Sequence, residues 1–406
     1  MRDVLIEKPY RFVPPFRWKW PQRWLLRLGA YRLNLRKKQG VVAHECRNLD
    51  LLRQSISAGH GVILTPNHVR EADPVSLAHL AREMPCPIYA MASWHLFNQG
   101  WAQTFALRLM GAFSVYREGL DRMAVDEAVR ILHHAERPLL IFPEGVTSRT
   151  NDRILALMEG PAFIARTAAR RRAKDNLGKV VIHPVALRYL FEGDLERACD
   201  GVLTDIERRL TWRPSTGMPL VNRIIQVGNA LLTLKELQYG LQTVGGGSLR
   251  DRQTNLVNHL LHPLETEWLG KHQDGMGIIQ RIKSLRMRIF PDLSRPDLDE
   301  VERARRWSQM EDTYLAQQVD CYPGDYIMAF PSVDRILETV EKFEQDLTGT
   351  ARVHGKLRVI IDVDEAIPVS PERERRAGED PLMELVKDRL EAKLASLQSE
   401  CRLYSG

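Results

Sequence analysis

Cysteine is scarce and scattered: Cys46, Cys86, Cys199, Cys321 and Cys401 are odd in number, and no two form a CxxC pair. This excludes a disulfide framework and a zinc ribbon, and fits reduced thiols in a cytoplasmic protein. No run of 18 apolar residues occurs, so no spanning helix is expected. The start lacks an apolar segment followed by a small-residue cleavage site, so no secretory signal is read. There is no Gly-x-Ser-x-Gly elbow, which removes the serine-hydrolase reading. The run Gly245–Gly247 has no Lys-Ser/Thr after it and is not a phosphate loop. Neither an internal repeat nor a low-complexity tract is read.

What is present is a folded composition, 44% hydrophobic and 27% charged over 406 residues, enough to bury a sizeable core. The net charge of +6 is unevenly spread. Residues 1–40 carry eleven Lys and Arg against Asp3 and Glu7, a local +9 that leaves −3 for the rest. Three of the eight tryptophans, Trp18, Trp20 and Trp24, are interleaved with those arginines. Amphipathic rings beside cations suit a lipid headgroup layer. Residues 1–39 are therefore read as a basic aromatic arm for an anionic membrane surface, with packing on the protein's own body as the alternative. No nucleic-acid recognition module accompanies the arm. Pro14, Pro15 and Pro21 limit helix there to about Gln22–Leu33.

From Gly40 short apolar runs alternate with helical periodicity. Strands are expected at Gly61–Thr65, Pro87–Ala92, Ala112–Tyr116, Pro138–Phe142 and Lys179–Leu187. Helices are expected from Asp121, as a cap, through Leu132, and over Leu155–Ala169. Residues 195–345 read as mostly helical, a strand returns at Lys356–Val363, and Pro381–Ser399 closes the chain as a helix. This pattern predicts an α/β domain of residues 40–194 and 346–406 with a helical insertion at 195–345; the alternative is a separate C-terminal domain.

Three segments carry candidate chemistry. Asn67-His68 follows the first buried strand, with Asp73-Pro74 five residues on. On a regular helix His68 and Asp73 would sit about 140° apart, so a loop must fold them together. Pro74 at a first helical position makes Asp73 the cap of a helix Pro74–Glu83. A histidine oriented by a carboxylate can take a proton from an alcohol; read alone, Asp73 can equally be a plain cap and His68 a polar loop residue. Phe142-Pro143-Glu144-Gly145 turns out of another strand into a loop ending at Arg149. Arg117 ends a third. The pair His133-His134 is read as a helix end and not as a metal site. Trp94, Phe97, Trp101 and Phe105 are read as core, with a hydrophobic belt on the membrane, should the arm not be the anchor, as the alternative.

Taken in order, these pieces resemble the phospholipid and glycerol acyltransferase family, typified by 1-acylglycerol-3-phosphate acyltransferases. The matching blocks are Asn67-His68…Asp73, Gly111…Arg117, Phe142–Gly145 and the proline-bearing strand Val180…Pro184…Leu187. The resemblance implies a glycerolipid acyltransferase-type central mixed sheet flanked by helices. It implies His68 as general base and Asp73 as its orienting partner, with direct attack of a hydroxyl on a thioester. Asn67, Arg117, Phe142, Pro143, Glu144, Gly145 and Arg149 would belong to the substrate site, Arg117 as phosphate contact, and Pro184 would shape the acyl-donor side. The donor would be acyl-CoA or acyl carrier protein, and the acceptor a lysophospholipid or related hydroxyl. No metal or other cofactor is implied. The enzyme would sit peripherally on the cytoplasmic face of a membrane. One departure is the continuation Val146-Thr147-Ser148-Arg149, which sets the arginine two places later than the family's Thr-Arg-Ser. A non-catalytic lipid-binding or scaffold protein on the same fold is the other reading.

Overall fold

The computed structural model describes residues 8–119, 121–241, 247–295, 297–322, 324–372 and 380–405. Arg2, Asp3 and Glu7 of the arm, Gly245 and Gly246 of the glycine run, and Pro296 lie outside them.

Among the described residues eight strands form one mixed sheet: β1 Val41–Arg47, β2 Gly61–Pro66, β3 Tyr89–Ser93, β4 Ala112–Val115, β5 Leu139–Leu140, β6 Val180–Phe191, β7 Leu357–Val363 and β8 Ile367–Pro368. The order is β1-β7-β6-β2-β5-β3-β4, with β8 beside β6. All neighbours are parallel except β7 and β8 against β6. The late strand β7 thus lies between β1 and β6 of the same sheet. β1 was not read from the sequence because Val41-Val-Ala-His-Glu-Cys-Arg47 mixes polar and apolar residues, as an edge strand tolerates.

Proline within a central strand needs a reason, since it cannot donate to the ladder. Pro184 sits where the neighbour of β6 changes. β8 pairs with Val181 and Ile182, β7 takes over at Val185, and Pro184 uses only its carbonyl, accepting from the Asp364 amide at 2.8 Å.

Apolar side chains cover both faces. Ile63, Ile182 and Leu139 meet the helices Arg122–His134, Gly160–Lys174 and Pro381–Ser396. Val62, Leu64, Val185 and Leu187 meet Leu52, Leu80, Leu203 and Ile336 on the other side. Asp121 caps its helix as expected, accepting from the Ala124 amide at 3.0 Å. Three helix readings are corrected. Gln22–Leu33 is two helices, Lys19–Leu28 and Ala30–Gln39, split by Gly29 at φ +68°. Pro74–Glu83 is Asp73–Ser76 followed by Ala78–Glu83, so Asp73 is inside the first turn and its carboxylate turns back along the chain instead of capping. Leu155–Ala169 is Gly160–Lys174, because residues before Gly160 form a loop whose Leu155 amide is taken by Glu144.

The arm does not hang free. Val13 bonds Ser114 of β4, Gln22 is buried against the carbonyls of Ile88 and Met110, and Leu26 and Leu35 enter the core. Trp18, Trp20 and Trp24 stay exposed. Trp94 and Phe97 are core, but Trp101 is 84% exposed and Phe105 about half, so the core reading fails for these two and the alternative of an exposed belt stays open for them.

The helical segment also corrects the sequence reading that no repeat exists. Its helices Leu195–Thr211, Leu220–Gln238, Leu249–Leu269 and Ile278–Ile289 are joined by one clamp used three times. Arg223 binds Glu207 and Asp200 at 2.8 and 2.6 Å. Arg252 binds Glu236 and Asn229 at 3.0 and 3.1 Å. Arg281 binds Glu265 and Asn258 at 2.7 and 2.8 Å. The partners are 16 and 23 residues upstream each time, and the arginines recur every 29 residues. This is a tandem array in which each helix is pinned to the one before it.

Candidate active site

β2, β5 and β4 are parallel to one another or to a shared neighbour, so the loops that follow them leave at the same edge of the sheet. Those loops carry His68, the Phe142–Gly145 turn and Arg117.

His68 and Asp73 meet. Nδ1 of His68 lies 2.8 Å from Oδ2 of Asp73, which also accepts the Arg70 amide at 3.0 Å. The second oxygen of Asp73 accepts the Tyr189 hydroxyl at 2.6 Å, and that hydroxyl lies 3.0 Å from Ser76 Oγ. Asp73 is fully buried, while the His68 side chain keeps 17% exposure. With Nδ1 facing a carboxylate, the proton sits there and Nε2 is left as the acceptor. Thr147 Oγ1 stands 3.4 Å from Nε2. The imidazole stacks on Phe142 with ring centroids 4.1 Å apart. Burial first and Asp73 second hold the Tyr189 phenol well above its usual range, so it serves as a neutral donor.

Glu144 is wholly buried. Its two oxygens accept the amides of His68 at 2.7 Å and Leu155 at 2.9 Å. Burial pushes its carboxyl up to about 7, against the pull of those two amides. The turn geometry requires the next residue to be glycine: Gly145 has φ +70°, and a Cβ there would stand 2.5 Å from the Met158 sulfur. The Gly145 carbonyl accepts Arg117 Nη1 at 2.8 Å.

The ten residues singled out by sequence therefore separate. His68, Asp73, Phe142, Gly145 and Arg117 converge at one edge of the sheet. Asn67 and Glu144 are buried braces; the Asn67 amide group bonds both the N–H and the C=O of Leu187, as a neighbouring strand would. Pro143 is buried, and Pro184 lies within β6 on the side of Ile182 and Ala186, opposite Tyr189. Arg149, at φ +56°, turns to Asp346 of the helix Val333–Thr348 at 2.8 Å.

Several residues were missed. Tyr189 is the clearest, 116 positions from its partner; a tyrosine in a wholly buried apolar strand needs a hydroxyl partner, and that signal was available. Arg70 pairs with Glu341 at 2.6 Å, and Asn151 grips the Tyr189 backbone while Glu338 holds Asn151. Glu338 and Glu341 belong to the helix Val333–Thr348, so the end of the helical segment supports the site. Among the described residues the one His/Asp grouping with metal-like spacing, His262, His272 and Asp274, lies on the helical segment and not here.

A family model described as Acyltransferase matches residues 43–188, which span β1 through most of β6 and include His68, Asp73, Arg117 and Glu144. No curated protein matches the chain.

Proposed function

From a chain that carries an acyltransferase-family domain at residues 43–188, we propose that its reaction is transfer of a fatty acyl group from a thioester donor, acyl-CoA or acyl carrier protein, to a hydroxyl of a glycerolipid. The observation that carries this reading is the oriented pair His68–Asp73 at 2.8 Å, with the Asp73 oxygens otherwise saturated and Nε2, which only the Thr147 hydroxyl approaches at 3.4 Å among the described residues, left as the acceptor. The acceptor hydroxyl gives its proton to Nε2 as its oxygen attacks the thioester carbonyl. The imidazolium that forms is stabilised by Asp73. The tetrahedral intermediate collapses with loss of the thiolate, which recovers a proton from His68. Tyr189 and Arg70 keep Asp73 in place, and Glu144 holds the His68 loop against the turn after β5.

The residues 195–345 are read as an insertion into this domain, its first and last helices packed on the sheet and its middle on a core of its own. Membrane attachment is read from Trp18, Trp20, Trp24 and Trp101, which are exposed beside the arm's arginines; Phe16 stacks on Trp18 and meets Phe105 edge-on, joining the two groups. Among the described residues no helix is long and apolar enough to cross a membrane.

The test is mass-spectrometric profiling of the lipids formed by the purified full chain from mixed acyl-CoA or acyl carrier protein donors and a panel of lysophospholipid, glycerol 3-phosphate and monoacylglycerol acceptors. New ester products dependent on both substrates are expected. Thioester hydrolysis alone, or a covalent acyl-enzyme trapped without acceptor, contradicts the mechanism.

A further inference from the structure

We propose that the helix Ile278–Ile289 of the helical segment completes a phosphate-binding site at the edge of the candidate active site, with Arg286 and Arg117 as its two guanidinium groups. The placement is fixed by packing. Tyr116 meets Phe290, at the end of that helix, with ring centroids 6.4 Å apart, and Gly277, at its start, faces Ala156 in the loop after the Glu144 turn.

Both arginines lack a carboxylate. Among the described residues no acidic group lies within ion-pair distance of either, although Glu118 contributes a weaker field at Arg286. Arg286 is held by neutral groups, Thr313 Oγ1 at 3.0 Å and Gln317 Oε1 at 3.0 Å. Arg117 reaches only the Gly145 carbonyl. That leaves Arg286 Nη2 and Arg117 Nε buried with no acceptor. The arginines of the three clamps, by contrast, each have an acid. A buried guanidinium N–H without an acceptor is costly, and the Tyr116–Phe290 contact brings together the two segments that carry them, so an anion is the group that would satisfy both. Burial first and Arg117 second lower Arg286 to about 10, a strain that a bound anion would relieve. Arg149, the family-like cation displaced in sequence, is spent on Asp346. Arg286 supplies what Arg149 does not.

The ligand chemistry is a phosphate ester, found on a phosphorylated acceptor and on CoA. Its assignment to a substrate rests on the acyl-transfer reading; its existence as an anion site does not. Titration calorimetry on the full chain with glycerol 3-phosphate, CoA and inorganic phosphate at fixed ionic strength separates these. Arg286→Met is expected to bind the phosphate-bearing source roughly 10–100-fold more weakly than wild type, and Arg286→Lys to fall between, keeping charge without the fork. Whichever of glycerol 3-phosphate and CoA shows the dependence is the source. Equal affinity in wild type and folded Arg286→Met overturns the site. So does a wild-type thermal midpoint that phosphate raises no more than chloride does, whether or not the variants fold. Because binding is read without turnover, failure to find acyl transfer leaves this result standing. An active enzyme whose KM for every phosphate-bearing substrate is unchanged in Arg286→Met removes the site alone.

Discussion

Asp73 has no contact with solvent, so its worth to His68 depends on the hydroxyl that holds its far oxygen. Tyr189→Phe removes that donor while keeping the ring. A hydrogen bond to a charged group contributes roughly 1.5–3 kcal/mol, so a fall in kcat of about 10-fold or more is expected, with the acid limb of the pH–rate profile displaced. A profile superimposable on wild type would show that Tyr189 only fills space. Glu144 makes a different prediction. Its carboxyl is raised to about 7 from an ordinary value of 4.5, so the native state keeps a proton that the unfolded chain releases. Stability from this group is fully present below about pH 4.5 and is lost as pH rises through about 7. Glu338, pushed up to about 8 mainly by burial, adds a slope of the same sign. Denaturant unfolding between pH 4.5 and 7 should therefore fall less steeply in Glu144→Gln than in wild type; identical slopes would refute the assignment. His68, Asp73 and the Phe142–Gly145 turn were legible because they are close in sequence or follow buried strands. Tyr189 and Arg286 were not, since nothing local marks which distant loop a strand tyrosine or a helix arginine will face.

At the scale of elements, the strands β2 to β7 were legible from their apolar runs, whereas β1, of mixed polarity, was not, nor was the break in the first helix, because Gly29 lies inside a stretch of helical periodicity. The array was missed for a physical reason. The clamp recurs every 29 residues together with the buried positions Leu203, Leu232 and Leu261 and Val227, Leu256 and Leu285, but the residues between differ and the helices vary in length, which dilutes the repeat. The clamp of Arg281 and Glu265 is buried on both sides. Arg281→Met strands the Glu265 charge and should destabilise the protein by roughly 3–5 kcal/mol, whereas the double variant Arg281→Met/Glu265→Leu should recover most of it. Thermal and denaturant unfolding read both; a double variant no better than the single would place the energy elsewhere.

For the whole molecule, the basic arm that the sequence marks carries three exposed tryptophans. Trp18 of the arm is joined through Phe16 to Phe105, and Trp20, Trp24 and Trp101 are exposed as well; the sequence alone left Trp101 and Phe105 between core packing and a hydrophobic belt for the membrane. Deleting residues 1–39 would remove Gln22, Leu26 and Leu35 from the interior, so surface substitutions are the sounder probe. Trp20→Ser/Trp101→Ser should lower binding to anionic vesicles several-fold with no change in thermal midpoint, and salt should weaken what remains. Unaltered, salt-independent binding would move the attachment surface elsewhere. The order of strands, with a late strand between the first and the sixth, could not be read from local pattern, because it is set by pairing between segments far apart in the chain.

The most direct measurement of the central claim is the rate of ester formation by wild type and His68→Ala, on a donor and acceptor that the wild type uses, with circular dichroism showing both folded. The account predicts a loss of about 100-fold or more, since the imidazole is the base held against the buried Asp73 carboxylate at this edge of the sheet. Undiminished transfer by a folded His68→Ala would contradict it.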